Sequence, residues 1–205
     1  GGVDKTLFIK NVDENIMISQ IYVDDIVFGS TNDSLVQEFV KQMQEEFEMS
    51  MVEELNFFLG LQVKQSDEGI FISQSKYARS LVKRFGLDAS KPAKTPMGTT
   101  VKLSKDENGK KVDPTLYRSM IGSLLYLTTS RPDISYSVGV CARFQGNPME
   151  SHVTAVKRII CYINNTLDLG IWYSKETNSN LVCYSDADWA GNTDKRKSTS
   201  GGCFY

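Results

Sequence analysis

Two adjacent carboxylates, Asp24 and Asp25, interrupt the apolar run Ile21-Tyr22-Val23-Asp24-Asp25-Ile26-Val27-Phe28. Strand side chains alternate faces with a period of 2, so neighbouring carboxylates converge only where the backbone turns or bulges. The flanking runs, Ile16 to Tyr22 and Ile26 to Phe28 before Gly29, therefore read as strand, tight turn, strand. Uncompensated charge among such residues is costly, and a divalent cation is the usual remedy for clustered carboxylates. The pair is a candidate Mg²⁺ (or Mn²⁺) site for phosphoryl transfer. A solvated Asp-Asp hairpin turn competes with it, because turn chemistry favours Asp in any case.

Other chemistry-bearing residues are fewer. Asp186 stands at the exit of the apolar run Leu181 to Ser185, with Asp188 close behind, and is a second candidate metal ligand; a lone Asp there more often caps or turns. His152, the single histidine, opens a helical pattern with no Cys, Ser or carboxylate partner legible nearby, which favours a capping or surface role over catalysis. Cys141, Cys161, Cys183 and Cys203 form no C-x-x-C pair, and their spacing suits reduced small residues better than a zinc site or a disulfide framework.

The elements that position these residues follow from periodicity. Leu7 to Ile9 and Ile16 to Ile18 flank a polar turn, and the second of these strands leads to the Asp pair. The pattern then changes period: Leu35, Val36, Phe39, Val40, Met43 and Phe47 make the apolar stripe of a helix over Asp33 to Glu48, capped by Ser30, Thr31 or Asn32. Phe57 to Lys64 and Ile70 to Ser73 read as a second hairpin, with Gly60 marking a bulge or a close backbone approach. The helix after it, capped by Ser75 and ended by Gly86, carries Lys76, Arg79, Lys83 and Arg84 around one side. Residues Lys91 to Val112, rich in Lys, Pro and Gly, read as a flexible basic linker. Three helices follow: one capped by Asp113 and burying Leu116, Met120, Ile121, Leu124 and Leu125, one from Pro132, and one over Glu150 to Asn164. Leu169 to Ser174 and Leu181 to Ser185 then read as a closing hairpin around Lys175 to Asn180.

With 205 residues and 40% apolar content, the chain can bury a core as one large domain or two small ones. No apolar run approaches the ~18 residues of a membrane span, and the first residues resemble no signal peptide, so a soluble intracellular protein without membrane partners is expected. The net charge of −2 hides an asymmetry: residues 1–75 hold 4 basic against 14 acidic groups, while residues 76–111 hold 10 against 3. A metal-dependent site beside a phosphate-binding surface would produce that pattern, and so would ordinary solvated charge.

Taken together, the residues resemble one family. Tyr22-Val23-Asp24-Asp25 is similar to the Y-x-D-D box of reverse transcriptases. The surrounding phrases resemble the Pol polyprotein of copia-type (Pseudoviridae) LTR retrotransposons: Asp4 to Phe8, Phe58-Leu59-Gly60, Tyr117 to Leu127, Arg131 to Ile134, the helix of His152, Ala155, Lys157 and Arg158, and Tyr184 to Gly191 with Arg196 to Gly201.

That resemblance implies an α+β fold: a reverse-transcriptase palm of antiparallel sheet with helices, then a helical thumb and connection, then the first strands of a ribonuclease H-like domain. The expected segments are 1–90 for the palm and start of thumb, 91–112 for the linker, 113–167 for thumb and connection, and 168–205 for the truncated ribonuclease H start. It also implies two-metal nucleotidyl transfer at Asp24 and Asp25, with Tyr22, Val23, Leu59 and Gly60 near primer and nucleotide. Lys76, Arg79, Lys83 and Arg84 would lie on the nucleic-acid backbone, and Asp186 would be the first ribonuclease H metal ligand. Implied partners are an RNA/DNA primer-template, deoxynucleoside triphosphates and the rest of the polyprotein, in cytoplasmic virus-like particles with access to the nucleus. The family's third palm aspartate and its fingers have no counterpart in the sequence, so little activity is expected of this chain alone. A degenerate, inactive remnant that at most binds nucleic acid is the alternative.

Overall fold

The computed structural model describes residues 4–51, 54–98, 102–176, 182–187, 194 and 196–204. Its contacts divide the chain into two units, Gly1–Leu55 and Asn56–Tyr205.

The first unit is a meander with one helix. Strands β1 (Leu7–Val12), β2 (Asn15–Tyr22) and β3 (Asp25–Ser30) pair antiparallel in the order β1-β2-β3. Helix α1 (Asp33–Glu46) starts where the Asn32 side chain accepts the Ser34 N–H at 2.8 Å, a direct N-cap. Its stripe of Leu35, Val36, Phe39, Val40 and Met43 is half-buried, and the Phe39 ring tilts onto Phe28 of β3 at 5.1 Å. The helix ends earlier than its periodicity suggests, because Phe47 turns extended and stays exposed. Met17 is the one buried apolar side chain among the described residues of this unit.

The second unit holds the core. Strands β4 (Phe57–Phe58), β5 (Leu61–Ser66) and β6 (Gly69–Ser73) form an antiparallel run, followed by α2 (Ser75–Arg84), α3 (Pro114–Leu127), α4 (Pro132–Ala142) and α5 (Glu150–Asn164). Asp113 caps α3 through the Thr115 N–H at 2.9 Å, with Pro114 at the first position, where its missing N–H costs nothing. Tyr117, Met120, Ile121, Leu124 and Leu127 of α3 pack with Leu81 and Val82 of α2, Ile134, Val138 and Cys141 of α4, and Val156, Ile159, Ile160 and Ile163 of α5. Leu116 and Leu125, expected inside, face solvent; the buried stripe runs i, i+3, i+4, i+7 from Tyr117. The Tyr117 hydroxyl can sit there because it donates to the Cys141 carbonyl at 2.8 Å.

Three further expectations change. Ser75 is not the cap of α2: Gln74 holds that position, and the Lys76 N–H is satisfied from outside by Gln62 Oε1 of β5 at 2.8 Å. Strand β7 (Gly170–Ser174) does not pair with the strand after it but joins the sheet as β4-β5-β6-β7, while β8 (Cys183–Ala187) pairs with β9 (Ser200–Phe204). The described part of the basic segment is no free tether either. It lies along α5, with Thr95 accepting from Arg158, Ser104 O accepting from His152, and Lys110 paired to Glu150 at 2.9 Å. Its lysines point to water while Met97 and Leu103 pack on the core.

Candidate active site and nucleic-acid surface

The carboxylate pair straddles the exit of a two-residue hairpin turn, Asp24 within it and Asp25 opening β3. Tyr22 pairs with Asp25 across β2 and β3, which leaves Val23 and Asp24 as the central residues. Primed two-residue turns need positive φ at the first central position because only that twist suits the flanking strands. Val23 supplies it at φ 56°, an uncommon conformation for a β-branched residue. Asp24 and Asp25 are both exposed, as are Tyr22 at 52% and Val23 at 85%. Tight pairing on both sides thus delivers two hard oxygen donors and an aromatic to one exposed tip.

Leu59 and Gly60 form a second two-residue turn, between Phe58 and Leu61, with φ of 50° and 80°. The bulge expected at Gly60 is therefore a hairpin turn, and the close approach expected there is real: a Cβ on Gly60 would collide with the Tyr126 hydroxyl of α3. That hydroxyl donates to the Leu59 carbonyl.

Lys76, Arg79, Lys83 and Arg84 are all exposed on α2, whose opposite face is buried through Ala78, Leu81 and Val82. Lys76 lies over the Phe57 ring at 4.6 Å, and Arg84 donates to Ser119 Oγ at 3.0 Å. Arg79 and Lys83 make no ion pair among the described residues. Lys91, Lys94, Lys102, Lys105, Lys110 and Lys111 extend the exposed positive charge along the strap over α5.

Asp186 is exposed on β8 opposite Gly201 and accepts from the Ala187 N–H at 2.8 Å. It stands in the second unit, apart in sequence and sheet from the Asp24–Asp25 turn, and Asp188 lies outside the described residues. No group of three or more His, Cys, Asp or Glu gathers in metal-binding geometry among the described residues. No described helix is long and apolar enough to cross a membrane.

Two polar centres lie inside the second unit, on phrases the sequence marks without revealing their burial or partners. His152 is fully buried, caps α5 by accepting the Met149 N–H on Nδ1 at 2.9 Å, contacts Ser104 O through Nε2 at 2.7 Å, and stacks on Phe144 at 4.0 Å. The capping role is as expected; the burial is not. Arg131, 1% exposed, forks onto Asp133 at 2.9 and 2.8 Å and also donates to the Thr166 carbonyl and hydroxyl. Burial pushes the Asp133 carboxyl up, but the hydrogen bonds and charge of Arg131, with the Tyr162 hydroxyl, outweigh it and hold the group below its ordinary value. Burial, and then the same carboxylate, raise Tyr162, and burial pushes the Cys141 thiol up to about 12, too high to furnish a nucleophile at neutral pH.

A family model described as reverse transcriptase (RNA-dependent DNA polymerase) matches residues 2–99. The retrovirus-related Pol polyproteins from transposons RE1 and RE2 of Arabidopsis thaliana are 38% and 37% identical over 202 residues, 98% of this chain and 14% of each polyprotein. An uncharacterized mitochondrial protein of the same plant is 34% identical over 185 residues, 90% of this chain and 77% of that protein. The chain thus spans about one seventh of the length of the polyproteins it matches. No solved structure matches. On this evidence the chain belongs to the copia-type, retrovirus-related Pol polyproteins, of which it is a reverse-transcriptase fragment.

Proposed function

We propose that this chain carries the carboxylate turn of an RNA-directed DNA polymerase that works by two-metal nucleotidyl transfer within its parent polyprotein. The observation behind this reading is the adjacency of Asp24 and Asp25 at an exposed hairpin turn inside the residues matched by the reverse-transcriptase family. The donor chemistry fits: Mg²⁺ takes oxygen ligands, keeps several waters, and is usually held by one or two carboxylates together with substrate phosphates. When bound, such ions stabilise the attacking and leaving oxygens of an in-line displacement.

The protein's own residues then have distinct tasks. Asp24 and Asp25 would hold the metal, together with substrate phosphates and water. Tyr22 and Val23 present apolar surface to the primer terminus and the nucleotide. The Leu59–Gly60 turn meets the primer strand, and Lys76, Arg79, Lys83 and Arg84 neutralise backbone phosphates. Asp186 belongs to a separate, ribonuclease H-like site begun by β8 and β9.

Salt dependence and metal dependence test the two halves separately. The logarithm of the chain's affinity for an RNA/DNA primer-template should fall with log[salt] at a slope of about −3.6 if four cations meet phosphates. Primer extension by a Pol polyprotein carrying this sequence should fall to background on Asp24→Asn or Asp25→Asn. Extension that survives both changes would remove the carboxylate turn from the chemistry, and a flat salt response would remove the basic face from the nucleic acid.

A further inference from the structure

Tyr126 of α3 meets both the Leu59–Gly60 turn and the basic helix α2. Its hydroxyl donates to Leu59 O at the first central position of the β4–β5 turn, and Gly60 next to it has room only for a hydrogen. Its ring meets Tyr77 of α2 edge to face, with centroids 4.8 Å apart and planes at 85°. Tyr77 is tied in turn to α3, its hydroxyl donating to Ser123 O at 3.0 Å. From the other side, Gln62 of β5 caps α2 at Lys76, and the Lys76 ammonium lies over Phe57 of β4. The turn and the basic helix are thereby linked at several points, one of which, the Tyr126 hydroxyl, reaches the turn itself.

This arrangement solves a local difficulty. Leu59 holds φ at 50°, a region that side-chain-bearing residues seldom occupy, and β4 is only two residues long. Two ladder residues give little leverage on a turn. A hydrogen bond from the exposed face of α3, a helix whose opposite face lies in the core, supplies a further constraint, and the glycine at 60 is what lets the hydroxyl approach.

We infer that Tyr126 is a positioning residue: it fixes the Leu59–Gly60 turn relative to α2, so that primer strand and phosphate backbone are met in one register. The inference rests on the proposed contact between that turn and the primer. It concerns a residue on α3, outside the residues matched by the reverse-transcriptase family.

The test uses the full chain and Tyr126→Phe, which keeps the ring against Tyr77 and deletes only the hydroxyl. Hydrogen exchange at Leu61 and Val63 should quicken about fivefold, the equivalent of one neutral hydrogen bond, while exchange in α3 to α5 stays unchanged. With a primer-template carrying a fluorescent adenine analogue at the primer 3′ end, the variant should lose much of the wild-type change at that end, with the salt slope of binding preserved. Both results together support the inference. Unaltered exchange at the turn overturns it and leaves the primer contact standing, as does an altered turn with an unaltered primer-end signal. A wild-type chain that binds primer-template with no response at the primer end refutes the primer contact itself, and the positioning role falls with it. Should Tyr126→Phe unfold the second unit, the wild-type chain carries the test by NMR: a Tyr126 hydroxyl proton protected from exchange beside Leu59 supports the inference, and one that exchanges as fast as a free tyrosine's overturns it.

Discussion

The two units spend their residues differently. Among the described residues, the unit with the carboxylate turn buries Met17 and leaves Ile9, Ile16 and Ile18 more than a third exposed, whereas the second unit closes a core of fifteen buried residues drawn from four helices. The carboxylates proposed for nucleotidyl transfer stand on the thinly covered unit, and the cations proposed to grip the nucleic-acid backbone stand on the densely packed one. A positive φ at Val23 is tolerable on an exposed tip; a buried arginine is tolerable only where a carboxylate and two further acceptors meet it. Rigidity is concentrated behind the basic surface, and accessibility at the acidic one.

Substitutions on either side should sharpen the contrast. The largest effect is expected in the packed unit, where Leu124→Ala leaves a cavity at a fully buried site and should lower unfolding free energy by about 2–5 kcal/mol in chemical denaturation. Arg131→Ala strands a half-buried carboxylate and should cost about 3 kcal/mol by the same measurement. Acid sharpens that result. The Asp133 carboxyl is lowered in the folded state, so its contribution is complete above the unfolded value of about 3.9 and is lost as pH falls through the lower folded value. Unfolding midpoints measured from pH 5 to pH 2 should therefore fall, and less steeply in Arg131→Met, which removes the partner that lowers the group. On the open side the sign reverses: Val23→Gly relieves the turn and should stabilise the first unit by about 1 kcal/mol, read as slower hydrogen exchange in β2 and β3. The smallest effect is electrostatic, with Lys83→Gln reducing the salt slope of primer-template binding by about 0.9 and leaving stability unchanged.

What the sequence revealed depended on how local the cause was. A turn at the Asp pair, one residue earlier than expected at Val23–Asp24, the Asn32 cap among its candidates, and helices α3 to α5 with their Pro114 and Pro132 starts are dictated by neighbours within a few residues. Pairings set by distant partners were hidden. Strand β7 reads like half of a closing hairpin because its alternation fits any edge, and only the open side of β6 selects it. Ser75 looks like a cap until Gln62 arrives from another strand, and Gly60 reads as a bulge until φ at Leu59 makes it a turn. The lysine-rich segment 91–112 suggests a tether by composition, while its few apolar residues and backbone carbonyls bind it to α5. Among candidate site residues, the carboxylates and cations were visible by type, and Tyr126 was not, since nothing in its spacing marks a hydroxyl aimed 67 positions back along the chain.

The most direct measurement is Mn²⁺ titration of the isotopically labelled chain bound to primer-template, followed by amide NMR, because a paramagnetic ion erases the signals nearest to it. Selective loss between Gln20 and Phe28 at the lowest Mn²⁺, abolished in Asp24→Asn/Asp25→Asn and reversed by excess Mg²⁺, is the predicted result. Loss spread over the other acidic residues of the chain, or a hairpin signal that bleaches equally in the double variant, would contradict a metal site at this turn.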